Sequence, residues 1–315
     1  MSQRLVIVIV NWNAGRQLQD CLDSVKFSAA HLAPEQCLAG VVVVDNASTD
    51  GSADALQLPG LPLQVLHNTS NCGFAAACNQ GAAASPPADL LLFLNPDTRL
   101  FDHSLVLPLQ RLAEPARQHT GIVGIQMVDE AGQVARSCAR FPTAAHFAWQ
   151  ALGLDRLRPQ LAHAMREWDH DSDREVDQVI GAFFMIRRPL FDQLGGFDER
   201  FFVYFEEVDL ALRAAQAGWR SLFLADASSF HQGGGTSDQI KGRRLFYSLR
   251  SRLLYGAKHF GAGQRALLSL VTWLVEPLSR LVHLALQRRW AEIRHLAEGY
   301  SLLAADRWQA HAARR

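Results

Sequence analysis

The chain has 315 residues, 49% hydrophobic and 20% charged, which excludes a disordered protein and supplies enough apolar material for a deep core. Lys+Arg (31) and Asp+Glu (31) cancel to a formal net charge of +0, so the basic excess of a dedicated nucleic-acid binder is missing. The only lysines are Lys26, Lys241 and Lys258, so nearly all positive charge is arginine, much of it after residue 240.

Leu5 to Val10 is a continuous, β-branched-rich run. It is too short for a signal-peptide core and reads as a first strand covered on both faces. A helix follows with Leu18, Leu22 and Val25 on one face. Val41 to Val44 forms a second strand, stopped by the turn formers Asp45 to Gly51. Leu63 to Leu66 reads as a third strand, Gly73 to Ala84 as a helix, and Leu90 to Leu94 as a fourth strand ending at Asn95-Pro96-Asp97. Strands alternating with helices imply a mainly parallel, Rossmann-like α/β sheet. The five cysteines, Cys21, Cys37, Cys72, Cys78 and Cys138, have no CxxC spacing and an odd count. That disfavours a zinc ribbon or disulfide framework and fits a reducing compartment.

Polar clusters recur at the carboxyl ends of these strands: Asn11-Trp12-Asn13, Asp45-Asn46, Asn68 to Asn71 and Asn95 to Asp97. Ligands of open α/β sheets bind at that edge. Any one cluster also reads as a strand-ending turn; four in succession point to a shared polar site.

Beyond residue 120 the pattern is less regular. Ile122–Val128 and Val134–Cys138 flank a hairpin signal at Asp129 to Gly132. Residues 155 to 175 are charged and poor in strand formers, and are expected to form a mobile loop. Val179 to Ile186 reads as one buried strand, Glu206 to about Ala217 as an acidic junction leading into a helix, and Trp219 to Leu224 as a further strand. From about 241 the chain is helical and arginine-rich. Its apolar run, Ala266 to Val275, is interrupted by Glu276-Pro277, with Arg280 and His283 soon after, and is expected to be too broken to span a bilayer comfortably. Two readings of this tail stay open, an interfacial helix on anionic lipid and a helix pair packed on protein. On the first, Trp273 and Leu274 are expected to touch lipid.

Three groups of residues carry chemistry. Asp97 follows a strand beside the rigid Pro96. Mg²⁺ and Mn²⁺ use one or two such carboxylates together with substrate phosphates. His231 precedes Gly233-Gly234-Gly235, where backbone amides can approach a diphosphate; a structural histidine is the alternative. Glu206, Glu207 and Asp209 crowd like charges at a helix start. Crowding raises a carboxyl pKa and suits it to general-base work, while a helix N-terminus favours acids in any case.

The ordered set Val10-Asn11-Trp12-Asn13, Val44 to Ser52, Asn71-Cys72-Gly73-Phe74, Asn79-Gln80-Gly81, Leu94 to Asp97, Gly195 to Asp198, Phe205 to Leu210 and His231 to Gly234 resembles the family-2 glycosyltransferases, in particular their rhamnosyltransferase-like branch. The resemblance covers roughly residues 4 to 260. It implies a glycosyltransferase-A (nucleotide-diphospho-sugar transferase) fold over residues 1–240 with a helical C-terminal extension at 241–315. It also implies a nucleotide-sugar donor, a divalent cation (Mg²⁺ or Mn²⁺) and inversion at the anomeric carbon. By the same resemblance Asp45 contacts the nucleoside, and Asn11, Asn46, Asn71, Gly73, Asn79 and Asn95 line the same pocket. Asp97 and His231 serve the metal, and Asn95 stands where the family often has a first metal-motif Asp. Glu207 is the expected base, with Glu206 and Asp209 binding acceptor hydroxyls or supporting the helix. Cys78 stands where several relatives carry Arg, so Arg243 or Arg250 is expected to supply the missing cationic phosphate contact.

The expected function is hexosyl transfer, with L-rhamnose from dTDP-L-rhamnose as the first choice of donor. The acceptor is a hydroxyl of a glycan or lipid-linked glycan in surface-polysaccharide assembly, met in the cytoplasm or at the inner face of the cytoplasmic membrane. Other dTDP- or UDP-hexoses come next, then a non-catalytic nucleotide-sugar-binding protein. A dinucleotide oxidoreductase needs GxGxxG after the first strand and a P-loop enzyme needs GxxxxGK[ST]; the chain has neither.

Overall fold

The computed structural model describes residues 3–54, 56–233 and 240–312; Gly234 and Gly235 of the glycine run lie outside them. The chain forms two compact units that interleave in sequence. The first takes residues 1–141, 168–199 and 206–235, and the second takes 142–167, 200–205 and 236–315.

The first unit is a mixed sheet with helices. Its first half contains β1 (Gln3–Asn11), α1 (Arg16–Ala29), β2 (Gln36–Asp45), β3 (Leu63–His67), α2 (Phe74–Ala84), β4 (Leu90–Leu94), β5 (Thr98–Leu100) and α3 (His103–Ala113). Next come β6 (Thr120–Val128), β7 (Val134–Ala135) and β8 (Cys138–Ala139). In the second unit α4 (Ala144–Ala151) follows. The first unit then resumes with β9 (Arg174–Val176), β10 (Gln178–Val179), β11 (Phe183–Arg187), α5 (Arg188–Gln193), α6 (Glu206–Gln216) and β12 (Arg220–His231). The main sheet runs β3-β2-β1-β4-β11-β6-β12-β5. β3, β2, β1 and β4 are mutually parallel, and β11 reverses the direction between β4 and β6.

Side-chain parity explains why the first strands read as unbroken apolar runs. Leu5, Ile7 and Ile9 share a core with Leu18, Leu22 and Val25 of α1 and Leu105 and Leu109 of α3. Val8 and Val44 lie on the opposite face, beneath α2. Each buried Val, Leu or Ile contributes on the order of 1.5–3 kcal/mol, and both faces must be apolar because both are covered. The α2 contact is close: a Cβ on Gly81 would stand 2.4 Å from Val8 Cγ1.

The β6–β7 hairpin forms around Asp129 to Gly132 as read from the sequence. Two other expectations are corrected. The run 179–186 is divided between β10 and β11, with Gly181 between them, because β10 pairs with β8 while β11 enters the main sheet. The 155–175 stretch is tied down at its end. Trp168 and His170 are buried and stacked at 4.2 Å, both rings meet Phe223, and His170 Nε2 accepts from the Cys138 N–H. Two aromatic rings hidden among charged residues supply the burial that charge counting overlooks. β12 also extends further than expected. A register shift between Leu224 and Ser228 lets its last residues pair with β5, setting His231 opposite Thr98.

The second unit is helical: α4, then α7 (Lys241–His259), α8 (Ala262–Leu270), α9 (Glu276–Leu286) and α10 (Ile293–Ala312). Its core gathers Ala144, Phe147, Leu268 and Val271, with Phe205, Leu253 and Phe260 against them. Arg252 is buried with Glu276, bonds Thr272 Oγ1 at 3.0 Å and lies 5.0 Å over the Phe147 ring. Arg280 also grips Glu276, at 2.8 Å. Burial pushes the Glu276 carboxyl up, but Arg252 and Arg280 outweigh it and hold the group below the ordinary range. Arg250 is engaged inside this unit by Asp306 and the Arg200 carbonyl.

The helix continues through Glu276-Pro277. A π-helical turn, Val271–Val275, joins α8 to α9 and passes the Glu276 N–H to the Val271 carbonyl. That wider turn adjusts the ladder just where Pro277 lacks its N–H. The Trp273 ring is partly buried, 6.3 Å from Tyr300 and beneath Arg307, whereas Leu274 is 54% exposed.

Candidate active site

The site is built on the carboxyl edge of the parallel strands. Register sets Asn11, Asp45 and His67 in one row across β1, β2 and β3. The Asn11 amide nitrogen donates to Asp45 Oδ1 (2.8 Å), Ser48 Oγ (3.0 Å) and Ser52 Oγ (2.8 Å), and its own Oδ1 is buried with no partner among the described residues. Asp45 Oδ2 accepts from the Ser48 N–H and stands 3.7 Å from His67 Nδ1. Asn13 Oδ1 accepts from the Thr49 N–H, and Asp50 accepts from the Gly15 N–H. Burial pushes Asp50 up, but hydrogen bonds from Ser52 and Gly15 prevail and hold it below the usual carboxylate value.

Asn46 is 2% exposed and acts as a bracket. It donates to Asn71 Oδ1 and the Gly73 carbonyl and accepts from Asn68 Nδ2 and the Cys72 N–H. Asn71 in turn accepts from the Gly73 N–H. The amide side chains of Asn46 and Asn71 thus shape the 68–73 wall of the edge. Asn79, on α2, clamps another segment: it donates to the Phe197 carbonyl and Glu199, and accepts from the Phe197 N–H. Gly196 has φ +73°, and a Cβ there would stand 2.6 Å from Asn79 Oδ1, so only glycine fits both demands.

Asn95 and Asp97 lie in the β4–β5 turn, stitched to the start of β11 because the Asn95 N–H donates to the Ala182 carbonyl. Asp97 Oδ1 stands 3.4 Å from His231 Nε2, and both side chains are mostly buried. Among the described residues no group of three or more His, Cys, Asp or Glu could enclose a metal. One carboxylate and one imidazole with the remaining positions open suit Mg²⁺ or Mn²⁺ whose shell is completed by phosphate and water. The donor set fits the expected cation.

The acidic trio opens α6. Glu207 lies over Gly181, whose ideal Cβ would be 3.8 Å from its carboxyl carbon. Gly181 adjoins Ala182, whose carbonyl accepts from the Asn95 N–H of the Asp97 turn. Glu206 is buried, Glu207 half-buried, and each has one carboxyl oxygen without a partner among the described residues. Burial raises both pKa values, and the neighbouring Glu207 charge drives Glu206 well above the ordinary range. Glu206 is the more strongly raised of the two, so of this pair it holds its proton to the higher pH. Asp209 is placed apart from them. It is fully buried, and its carboxylate bonds Arg213 Nε at 2.7 Å; Arg213 also donates to the carbonyls of Leu194 and Gly196. Tyr204 and Phe205, just before Glu206, have φ of 68° and 70°, and Asn13 and Ala47 at the strand ends are also left-handed. Such backbone costs on the order of 1–3 kcal/mol per residue and clusters at functional sites.

A carboxyl whose folded pKa is raised contributes stability that is present below its unfolded value and lost as pH rises through the folded one. Glu206→Gln is therefore expected to melt above wild type at alkaline pH, with the gap closing below the ordinary value of 4.5. Melting curves across pH check this; a gap independent of pH contradicts it.

Sequence reasoning missed Ser48, Ser52 and Asp50 as partners of Asn11 and Gly15, Glu199 as the partner of Asn79, and Arg213 as that of Asp209. The Asp45 to Ser52 run was legible as turn formers, and its hydroxyls were the available signal.

A parallel half-sheet with amides and acids along its carboxyl edge, followed by a reversed strand, puts a polar site where ligands of open α/β sheets bind. A family profile described as "Glycosyltransferase like family 2" matches residues 3–255. The chain belongs to that family and is a glycosyltransferase. It is 29% identical over 278 residues to the N-acetylglucosaminyl-diphospho-decaprenol L-rhamnosyltransferase of Mycobacterium tuberculosis, covering 84% of this chain and 88% of that one. It is 25% identical over 171 residues to the rhamnosyltransferase WbbL of Escherichia coli, covering 54% and 62% respectively. In fold it is similar to the mannosyltransferase PcManGT of Pyrobaculum calidifontis, solved with GDP-Man and Mn2+ (TM-score 0.55, 18% identity, 97% of this chain and 75% of that one). The glycosyltransferase-A fold expected from the motifs is the fold observed.

Proposed function

We propose that the protein is an inverting, metal-assisted rhamnosyltransferase that moves L-rhamnose from dTDP-L-rhamnose to a hydroxyl of a lipid-linked or polymeric glycan. The observation that carries the chemistry is Glu207: a half-buried carboxyl with a raised pKa and an oxygen without a partner among the described residues, packed over Gly181, whose neighbour Ala182 anchors the Asp97 turn. The choice of sugar follows the two rhamnosyltransferases among the relatives.

The Asn11–Asp45 row receives the nucleoside, and the 68–73 wall braced by Asn46 and Asn71 closes one side. Asp97 and His231 would hold the divalent cation, which supplies positive charge to the leaving diphosphate. Asn95 sits beside Asp97 in the same turn and is proposed to line the same pocket. Glu207 takes the proton of the acceptor hydroxyl. The hydroxyl oxygen then bonds the anomeric carbon as the carbon–oxygen bond to the diphosphate breaks on the opposite face, and the electron pair leaves with dTDP. Protonated Glu206 donates a hydrogen bond beside the base. Asp209 acts through Arg213 to hold the 194–196 segment in place. The acceptor is met at the inner face of the cytoplasmic membrane, as a diphospho-lipid carrier requires.

The test is a panel of nucleotide sugars with NMR analysis of the product linkage. dTDP-L-rhamnose is expected to turn over fastest, with inverted anomeric configuration. Retention of configuration, or a clear preference for another donor, overturns the corresponding part.

A further inference from the structure

We infer that the helix running from Ala262 to Leu286 is a docking surface for an anionic lipid bilayer, lying along the interface rather than crossing it. This rests on the helical unit alone and is independent of the catalytic reading.

The helix is inverted relative to one that faces water. Its inward side carries the buried Leu268, Val271, Thr272 and Glu276, two of them polar and bound by Arg252. Its outward side exposes Leu267, Leu270, Leu274, Leu278, Leu281, Val282 and Leu286. Steps of three and four residues place these on one continuous stripe. A contiguous apolar face of this extent needs a partner.

Charge selects the partner. From Ala262 to Arg289 the chain has Arg265, Arg280, Arg288 and Arg289 and one acid, Glu276. Glu276 is buried and paired, whereas all four arginines are exposed. Two of them are paired, Arg280 with Glu276 and Arg289 with Glu292 just beyond, which leaves Arg265 and Arg288 as the net positive charge beside the stripe, a complement to anionic headgroups. Trp290, 62% exposed, directly follows Arg288-Arg289, the aromatic–basic pairing of an interfacial anchor. A second copy of this face would bring cations to cations.

Length and composition allow a span, at 25 residues and a mean hydropathy of 1.3. The Arg252–Glu276–Arg280 clamp forbids it, because it binds one side of the helix to protein and keeps an exposed arginine midway. What is left for lipid is a single face.

The full-length protein is sedimented with vesicles of phosphatidylcholine alone or mixed with phosphatidylglycerol. Binding is expected on the mixed vesicles, falling about tenfold from low to high salt as exposed charge is screened. Combined Leu274→Ser, Leu278→Ser and Leu281→Ser should weaken it by at least about 100-fold through lost apolar burial, with an unchanged far-UV circular dichroism spectrum since all three side chains are exposed. Absence of binding to the mixed vesicles at low salt, or wild-type binding by the folded triple variant, overturns the inference. So does a dimer in ultracentrifugation that the triple variant abolishes while vesicles are ignored.

Discussion

Glu207→Gln is expected to lower turnover by about 10² to 10⁴, the usual cost of losing a general base, while leaving donor affinity nearly unchanged. Glutamine keeps the size and the hydrogen bonds of the side chain but cannot take the acceptor's proton. The residues proposed to hold the nucleotide belong to β1, β2 and the 68–73 wall, and none of the bonds cited for them involves Glu207. Two neighbours provide the comparison. Glu206→Gln puts a neutral hydrogen-bonding group where a protonated carboxyl stood, so it should leave the acidic limb of the kcat–pH profile nearly in place. In the wild type that limb should lie above the ordinary glutamate range, because burial raises Glu207. Asp209→Asn weakens the grip on Arg213 and should act on stability before turnover. If Glu207→Gln retains most of its rate while either neighbour loses it, the base is misassigned.

Asp97→Ala is expected to cut transfer by about 10³-fold, the scale on which a removed charge stabiliser at a developing anion is felt. It should also abolish the strengthening of nucleotide-diphosphate binding by Mg²⁺ or Mn²⁺. The second readout matters because it needs no turnover. Calorimetric titration of dTDP with and without metal should show a metal-dependent gain for wild type and none for the variant. The turn itself should survive, since its backbone is held by the Asn95–Ala182 bond and the β5–β12 pairing. Wild-type turnover in the variant, or full activity of the wild type in excess chelator, removes the cation from the mechanism.

Much of the site's position was legible before any coordinates. Apolar runs fixed in length by turn formers mark β1, β2, β3 and β4, and the polar residues that end them fall on one edge because parallel strands all end there. Asn11, Asp45 and Asp97 needed no more than that. The order of motifs along the chain supplied the family.

The tertiary structure decided what each polar group does. Asn46, Asn71 and Asn79 look alike in sequence to Asn11 and Asn95, yet contacts across 2 to 118 positions turn them into brackets for loops. Three acids in four positions became a buried carboxyl, a half-buried one over Gly181 and an anchor for Arg213, because one helix turn points them in different directions and only long-range packing sets which direction is water. The same holds for the tail. Composition announced an apolar helix with arginines, but Arg252 of α7 drew Glu276 and Thr272 inward and left the leucines outside. Local pattern dictates the element; which side of it meets protein depends on partners far away in the chain, and no periodicity encodes that choice.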